Sequence, residues 1–344
     1  MIRDALEALA AGGHLDSAQA EAAMEQILSG GATDAQIGGL LMALRRNGET
    51  VEELVGFARA MRRHARPLYP AGHLPAPGVV VDTCGTGGDG LGTFNISTAA
   101  AFVVSGAGIR VAKHGNRSIS SSCGSADVLE ALGIDPEHEL ALAGRAIEEV
   151  GIGFLFAPAV HPAMRHAMRA RRELRLRTVF NLLGPLTNPA GATAQVVGVF
   201  AAEFAERMAQ ALGALGVSRA FVVHGSDGLD EITVSGPTFV AELSGGSVRT
   251  GKIVPEDFGV ARAPLSALGG GDPARNAAIL RSVLGGEPGP VRDAVLINAA
   301  AALVAAGRVP DWCAGAALAA QSIDSGAAAA KLEALARFLA LARA

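Results

Sequence analysis

Apolar residues recur at helical spacing through the first 66 positions. Met24, Ile27 and Leu28 share one face of a helix, and Ile37, Leu40, Leu41 and Leu44 share a face of the next. Thr33-Asp34-Ala35-Gln36 and Thr50-Val51-Glu52-Glu53 each set an N-cap hydroxyl three residues before Gln or Glu. That capping-box spacing predicts a helix start at both places. The Pro-rich stretch 67–77 marks a linker. From Val79 the period changes. Short apolar runs, VVVD (79–82), GIRVA (108–112), IGFLFAP (152–158), QVVGVF (195–200) and RAFVVHG (219–225), alternate with helical stretches. The alternation predicts βα units and a largely parallel sheet. Between the third and fourth runs, 161–174 predicts a helix with a basic face whose Arg165, Arg169 and Arg172 read as mainly solvated. The last third predicts helices, one of them over 290–306.

Composition narrows the class. Half of the 344 residues are hydrophobic and 44 are glycine, which suits an α/β enzyme with core enough for two domains. A formal net charge of -4 offers no electrostatic footprint for nucleic acid, so any bound anion must be held locally. Arginine outnumbers lysine 26 to 3, which draws the eye to Lys113 in a polar loop. Cys84, Cys123 and Cys313 stand far apart without a CxxC or Cys/His cluster. They argue for a reducing compartment and against a zinc site or disulfide framework. The opening MIRDALEALAAGGHLD carries frequent charges and no apolar h-region, so no secretory signal is expected and the chain reads as cytoplasmic. The uncharged stretch 90–109 is broken by Gly, Asn, Ser and Thr, and reads as a loop and buried helix rather than a membrane span.

Chemistry concentrates in three loops. After VVVD comes Gly85-Thr86-Gly87-Gly88-Asp89-Gly90, and Asn95-Ile96-Ser97-Thr98 opens the following helix. Glycine lets backbone approach an anion, and helix N-terminal amides with Ser/Thr hydroxyls donate to phosphate oxygens. The same stretch matches GxGxxG, yet no Asp or Glu lies between Asp89 and Asp127 to hold a nucleotide ribose, which weighs against a dinucleotide fold. The second loop, 113–125, brings Lys113, His114 and Arg117 together with five serines, an Asn and two glycines, and with no acidic residue in it. That composition suits phosphate groups better than a solvated turn. The third, 224–231, gathers Asp227, Asp230 and Glu231 after an apolar run, where Mg²⁺ could take one or two carboxylates plus substrate phosphates. No P-loop motif occurs. His114 and His224 read either as acid–base groups or as hydrogen-bonded loop histidines, and no Ser-His-Asp or Cys-His spacing supports nucleophilic catalysis.

Four ordered motifs carry a resemblance: GTGGDGLGTFNIST (85–98), KHGNRSISSSCGSADVLEALG (113–133), RRELRLRTVFNLLGPLTNP (171–189) and HGSDGLDEIT (224–233). With MALRRNGETVEELVGFARAMR, VPEDFG and VRDAVLINAAAAL around them, nearly the whole chain resembles the anthranilate phosphoribosyltransferase family of tryptophan biosynthesis. The resemblance implies an α/β protein with a small all-helical domain, 1–72, completed by helices near 161–190. A larger α/β domain, 73–344, would hold a mostly parallel central sheet, and the assembly would be a homodimer. The reaction implied joins the amine of anthranilate to C1′ of 5-phosphoribosyl 1-diphosphate and releases pyrophosphate, with Mg²⁺ as cofactor. Gly85, Gly88, Asp89, Thr93, Asn95, Ile96, Ser97, Thr98, Lys113, His114, Gly115, Asn116, Arg117, Ser118, Ile119, Ser120, Ser121 and Ser125 are implied contacts of the phosphoribosyl diphosphate. Gly85, Asn116 and Arg171 are implied contacts of anthranilate, Arg171 pairing with its carboxylate, while His114 and the Gly184-Pro185 turn shape that pocket. Ser97, Asp230 and Glu231 are implied Mg²⁺ ligands. The aromatic amine is neutral at pH 7 and needs no dedicated base, so no catalytic residue is assigned.

Two positions depart from the family pattern. Ser122-Cys123 stands where members often carry Lys-Ser or another residue then Ser, which removes one possible cation. Arg175 follows RREL where Gly is common, so the turn there is expected to differ slightly. Pyrimidine nucleoside phosphorylases share the implied architecture but would not need the Asp230-Glu231 pair beside GTGGD. A nucleic-acid-binding paralogue would show a basic surface and broken loops, and this chain shows neither.

Overall fold

Both capping boxes form. Thr33 N donates to Gln36 Oε1 at 3.0 Å and Gln36 N returns to Thr33 Oγ1 at 3.3 Å. Thr50 and Glu53 repeat the exchange at 2.8 and 3.2 Å. The computed structural model, which describes residues 1–70, 72–73, 76–118 and 122–342, opens with four helices: α1 (Ile2–Ala10), α2 (Ser17–Leu28), α3 (Asp34–Asn47) and α4 (Val51–Arg63). Glu53 is fully buried, and its Oε1 also accepts Leu15 N at 2.9 Å, tying α4 to the turn before α2. Gly56 lets those two helices touch, since a Cβ there would lie 2.3 Å from Ser17 O.

The βα alternation follows as β1 (Val80–Asp82), α5 (Ile96–Gly106), β2 (Arg110–Gly115), α6 (Ser125–Ala131), α7 (Leu140–Glu149) and β3 (Ile152–Phe156). A single turn α8 (Ala157–Val160), a 3-10 turn Pro162–His166, α9 (Met168–Leu174) and α10 (Val179–Leu183) lead to β4 (Ala194–Gly198), α11 (Ala205–Ala214) and β5 (Arg219–Gly225). The chain closes with β6 (Thr238–Ser244), β7 (Ser247–Ile253), α12 (Pro273–Leu284), α13 (Pro290–Ala305), α14 (Trp312–Asp324) and α15 (Ala327–Leu341). The seven strands order as β3-β2-β1-β4-β5-β6-β7, with β1 to β5 parallel and the last two antiparallel.

One apolar core lies under α5 and α12 to α15, and the buried Ala-rich α13 fills its centre. A second joins the first four helices to α9, α10, α11 and the opposite faces of β4 to β6. In particular α9 packs on α3, α10 on α3 and α4, and the 3-10 turn on α2. Among the described residues, no helix is long and apolar enough to cross a membrane.

Three expectations change. The basic segment 161–174 is not one helix, because Pro162 opens a 3-10 turn and α9 begins only at Met168. Lys113, His114 and Gly115 end a strand rather than begin a loop, since β2 pairs with β3 as far as Gly115↔Phe156. The β6–β7 hairpin was not anticipated; Gly245 and Gly246, at φ 57° and 79°, make its two-residue turn.

Candidate active site

The functional loops follow the C-terminal ends of parallel strands, where open α/β sheets leave a crevice. Their relative position depends on close backbone contact. Thr86 N donates to Gly198 O at 2.8 Å, and Phe200 N donates to Thr86 Oγ1 at 3.1 Å, so the loop after β1 is fastened to the end of β4. A Cβ on Gly198 would lie 1.5 Å from Asp230 O, and one on Gly85 would lie 2.9 Å from Gly198 O. Two side-chain-free residues thus let three loops stack. Asp230 N consequently reaches Asp89 Oδ2 at 3.5 Å.

The start of α5 is built to receive an anion. Its N-cap Asn95 makes no side-chain capping bond; the amide instead donates to Cys123 O at 3.2 Å and accepts from Asn276 Nδ2 at 2.9 Å. Thr98 Oγ1 is buried without a partner among the described residues. First-turn amides and an unsatisfied hydroxyl at one helix N-terminus are the donors a phosphate group takes.

Beside them Lys113 is 4% exposed, and its Nζ donates to Ser97 Oγ at 3.3 Å and to Thr83 O and Oγ1 at 3.4 Å. Asp82, wholly buried at the end of β1, accepts Asn188 Nδ2 at 2.7 Å and His114 N at 3.2 Å. Burial pushes its pKa up to about 6 against the pull of Asn188 and Lys113. Burial likewise raises Glu231 to about 7, opposed by Lys113 and Ser97. Asp230 is raised well above its usual value by burial and then by the charges of Asp89 and Glu231. Asp230 and Glu231, poorly hydrated and close to Asp89, offer with Ser97 an all-oxygen set whose chemistry fits Mg²⁺. Among the described residues no three His, Cys, Asp or Glu side chains converge as a ready-made metal cage.

At the other end, Arg171 lies half-buried with its guanidinium carbon 5.1 Å above the Phe180 ring. No carboxylate pairs with it among the described residues, and burial lowers its pKa. Nearby, the rings of His114 and His161 meet edge-on at 5.4 Å. Burial depresses them to about 4 and about 3, so both are neutral at pH 7. His114 Nδ1 lies 3.2 Å from Gly184 O, which can only accept; the proton therefore sits on Nδ1, and Nε2 is a buried acceptor without a partner among the described residues.

One cavity of about 700 Å³ spans both ends. Gly85, Gly88, Asp89, Thr93, Asn95, Ile96, Ser97, Thr98, Lys113, His114, Gly115, Asn116, Arg117, Ser118, Ser125, Arg171, Asp230 and Glu231 all border it. Ile119, Ser120 and Ser121 lie outside the described residues. The acidic turn divides: Asp227 Oδ2 accepts from Thr233 Oγ1 and Ser235 Oγ, both at 2.5 Å, so it braces the loop instead of joining the other two acids. His224 holds Val199 O at 2.8 Å and does not border the cavity. Arg165 and Arg172 line its rim, while Arg169 pairs with Glu173 and Asp34. The loop after β2 holds no acid itself, but acids from beyond it balance its arginine. Arg117 is paired with Asp127 and Glu130 of α6 and with Glu137 of the turn after it, all of which follow the loop in sequence. Asp82, Asn188, His161 and Gly198 escaped the sequence reading. Only Asp82 carried a signal, as a charged end to an apolar strand directly before the Gly-rich loop.

Residues 3–65 match the glycosyl transferase family, helical bundle domain, and residues 77–329 match the glycosyl transferase family, a/b domain. The chain is 61% identical over 327 residues to the anthranilate phosphoribosyltransferase of Solibacter usitatus, with 95% of each chain covered. It is 56% identical over 344 residues to that of Rubrobacter xylanophilus, covering 100% of this chain and 98% of the relative. Among solved structures, the anthranilate phosphoribosyltransferase of Thermus thermophilus matches with a TM-score of 0.91 at 48% identity, over 98% of this chain and 99% of that one. The Saccharomyces cerevisiae enzyme in complex with PRPP and Mg matches with a TM-score of 0.88 at 30% identity, over 98% of both. The match runs through both domains in the same order and over almost the full length, and on that basis the chain belongs to the anthranilate phosphoribosyltransferase family.

Proposed function

We propose that this protein transfers the phosphoribosyl group of 5-phosphoribosyl 1-diphosphate to the amine of anthranilate, giving N-(5-phosphoribosyl)anthranilate and pyrophosphate. One observation carries the reading. A single cavity has an acidic pair, a buried lysine and an uncapped helix N-terminus at one end, and at the other a guanidinium that no carboxylate among the described residues pairs with. The first end suits a metal-bound diphosphate, and the second suits the carboxylate of an aromatic acid.

In the reaction the bond from nitrogen to C1′ forms as the bond from C1′ to the diphosphate oxygen breaks. The bonding pair leaves with the diphosphate, and the amine proton passes to solvent. Gly85, Gly88, Asp89, Thr93 and residues 95–98 are proposed to hold the phosphoribosyl diphosphate with Lys113, Ser125 and the loop through Ser121, except for Arg117, which three carboxylates already occupy. Gly85, Asn116 and Arg171 are proposed to hold anthranilate. Mg²⁺ on Ser97, Asp230 and Glu231 would offset diphosphate charge. Lys113 stabilises negative charge on the departing group, and Arg171 aims the amine, so rate enhancement comes from positioning and electrostatics. His114 and His161, neutral at pH 7, wall the aromatic pocket without adding charge. The small helical unit is taken as 1–72 with the helices of 161–190, the large one as the rest of 73–344, and the working form as a cytoplasmic homodimer.

The test is anthranilate fluorescence in the presence of phosphoribosyl diphosphate and Mg²⁺. The signal should fall with turnover; a signal that persists with folded protein removes the assignment.

A further inference from the structure

Arg117 stands at the neck of the loop after β2, where family resemblance makes it a ligand of the diphosphate. Its contacts lead elsewhere. Nη1 donates to Asp127 Oδ1 at 3.1 Å and to Glu130 Oε2 at 2.7 Å, and Nη2 donates to Glu137 Oε1 at 3.0 Å. Three carboxylates around one guanidinium leave the cluster net negative. An approaching diphosphate gains nothing from such a cluster, whereas buried Lys113 can serve it.

Asp127 acts on the loop directly. Its Oδ2 accepts Ser118 N at 2.9 Å and Gly124 N at 2.8 Å, so one oxygen pinches both flanks of the neck. Asn116 O accepts Ala126 N at 3.1 Å and Ser125 Oγ at 3.3 Å, which fixes the inner flank to α6. The flanks are in contact, since a Cβ on Gly124 would lie 2.4 Å from Ser118 N. Asn116, Ser118, Gly124 and Ser125 border the cavity, so the neck sets where their donors stand. Arg117 holds the other oxygen of Asp127 and thereby aims Oδ2 at the two amides.

We propose that Arg117 is a positioning residue: with Glu130 and Glu137 it orients Asp127, which pins Ser118 to Gly124 and so places Asn116, Ser118, Gly124 and Ser125 for the diphosphate, without binding a phosphate itself. The inference rests on the phosphoribosyl diphosphate reading of the cavity.

Steady-state kinetics on the full chain at saturating Mg²⁺ separate the two roles. The proteins compared are wild type, Arg117→Ala, the double variant Glu130→Gln/Glu137→Gln, and the triple combination. Glu130 and Glu137 side chains are each 58% exposed, so the double variant should fold. A positioning role raises KM for phosphoribosyl diphosphate about fivefold in Arg117→Ala, and in the same direction by a smaller factor in the double variant. The triple variant then matches Arg117→Ala, and KM for anthranilate stays within about twofold throughout. Direct ligation predicts the opposite sign for the double variant, because releasing Arg117 from two carboxylates frees it for phosphate. An unchanged or lower KM there overturns the proposal, and this holds even if Arg117→Ala does not fold. A wild type that leaves both substrates unconsumed removes the substrate reading and the proposal with it.

Discussion

Arg171→Met tests the anthranilate end of the cavity most directly. Methionine keeps much of the apolar stem over Phe180 and deletes the charge. In the free protein the guanidinium is half-buried, 5.1 Å from that ring, and pairs with no carboxylate among the described residues. A substrate carboxylate would supply the missing partner through charge-assisted bonds worth about 1.5–3 kcal/mol. Losing them should raise KM for anthranilate roughly 10- to 150-fold and leave KM for phosphoribosyl diphosphate nearly unchanged. Stability should move the other way. The variant forfeits a cation–π contact of about 0.5–1 kcal/mol but removes an unpaired, partly desolvated charge. Its melting temperature without ligands should therefore equal or exceed that of the wild type. Arg171→Lys keeps the charge without the planar fork and should fall between the two in KM. Fluorescence kinetics with each substrate varied, together with a thermal melt, give both readouts. An unchanged anthranilate KM, or an equal rise for both substrates, would refute the assignment of Arg171 to the carboxylate.

Asp230→Asn with Glu231→Gln should raise the Mg²⁺ concentration for half-maximal rate by more than the roughly 10–100-fold typical of losing an outer partner of a metal ligand; an unchanged Mg²⁺ titration would place the metal elsewhere. Arg175 has φ 49° and ψ 32°, and among the described residues it alone is a non-glycine with positive φ. Arg175→Gly should therefore stabilise the fold by about 0.5–1 kcal/mol, read as a higher denaturant midpoint at unchanged slope. His161 is held far below its usual 6.5, at about 3, by burial and then by His114. The unfolded chain thus binds the extra proton first, and the stabilisation is full above about pH 6.5 and shrinks as pH falls toward 3. His161→Phe should lose less melting temperature than the wild type between pH 7 and 4. Taking the difference between the two proteins removes the opposite contributions of Asp82 and Glu231, whose raised pKa values favour the native state as pH falls.

Local rules were legible where the cause is local. Capping at Thr33 and Thr50 depends on residues three apart, and the strand runs from Val79 to Gly225 announce themselves by period and apolar content. The Gly-rich turn, the start of α5, Lys113 and the acidic pair were likewise readable, since each chemistry sits in one continuous motif. The break at Pro162 has a signal that the basic periodicity masks, and the Gly245-Gly246 dipeptide is itself a hairpin-turn signal. Tertiary structure alone decided how charges pair. Arg117 reads as a free cation until α6 and the turn after it fold back, giving it Asp127 and Glu130 from the helix and Glu137 from the turn. Asp227 and Asp230 read alike until Thr233 and Ser235 claim the first, and Gly198 lets the second approach Asp89. Motif spacing specifies which groups are available, but a group's ionisation and partners depend on burial and on residues as distant as Asn95 and Asn276, 181 positions apart, which only the packed fold brings together.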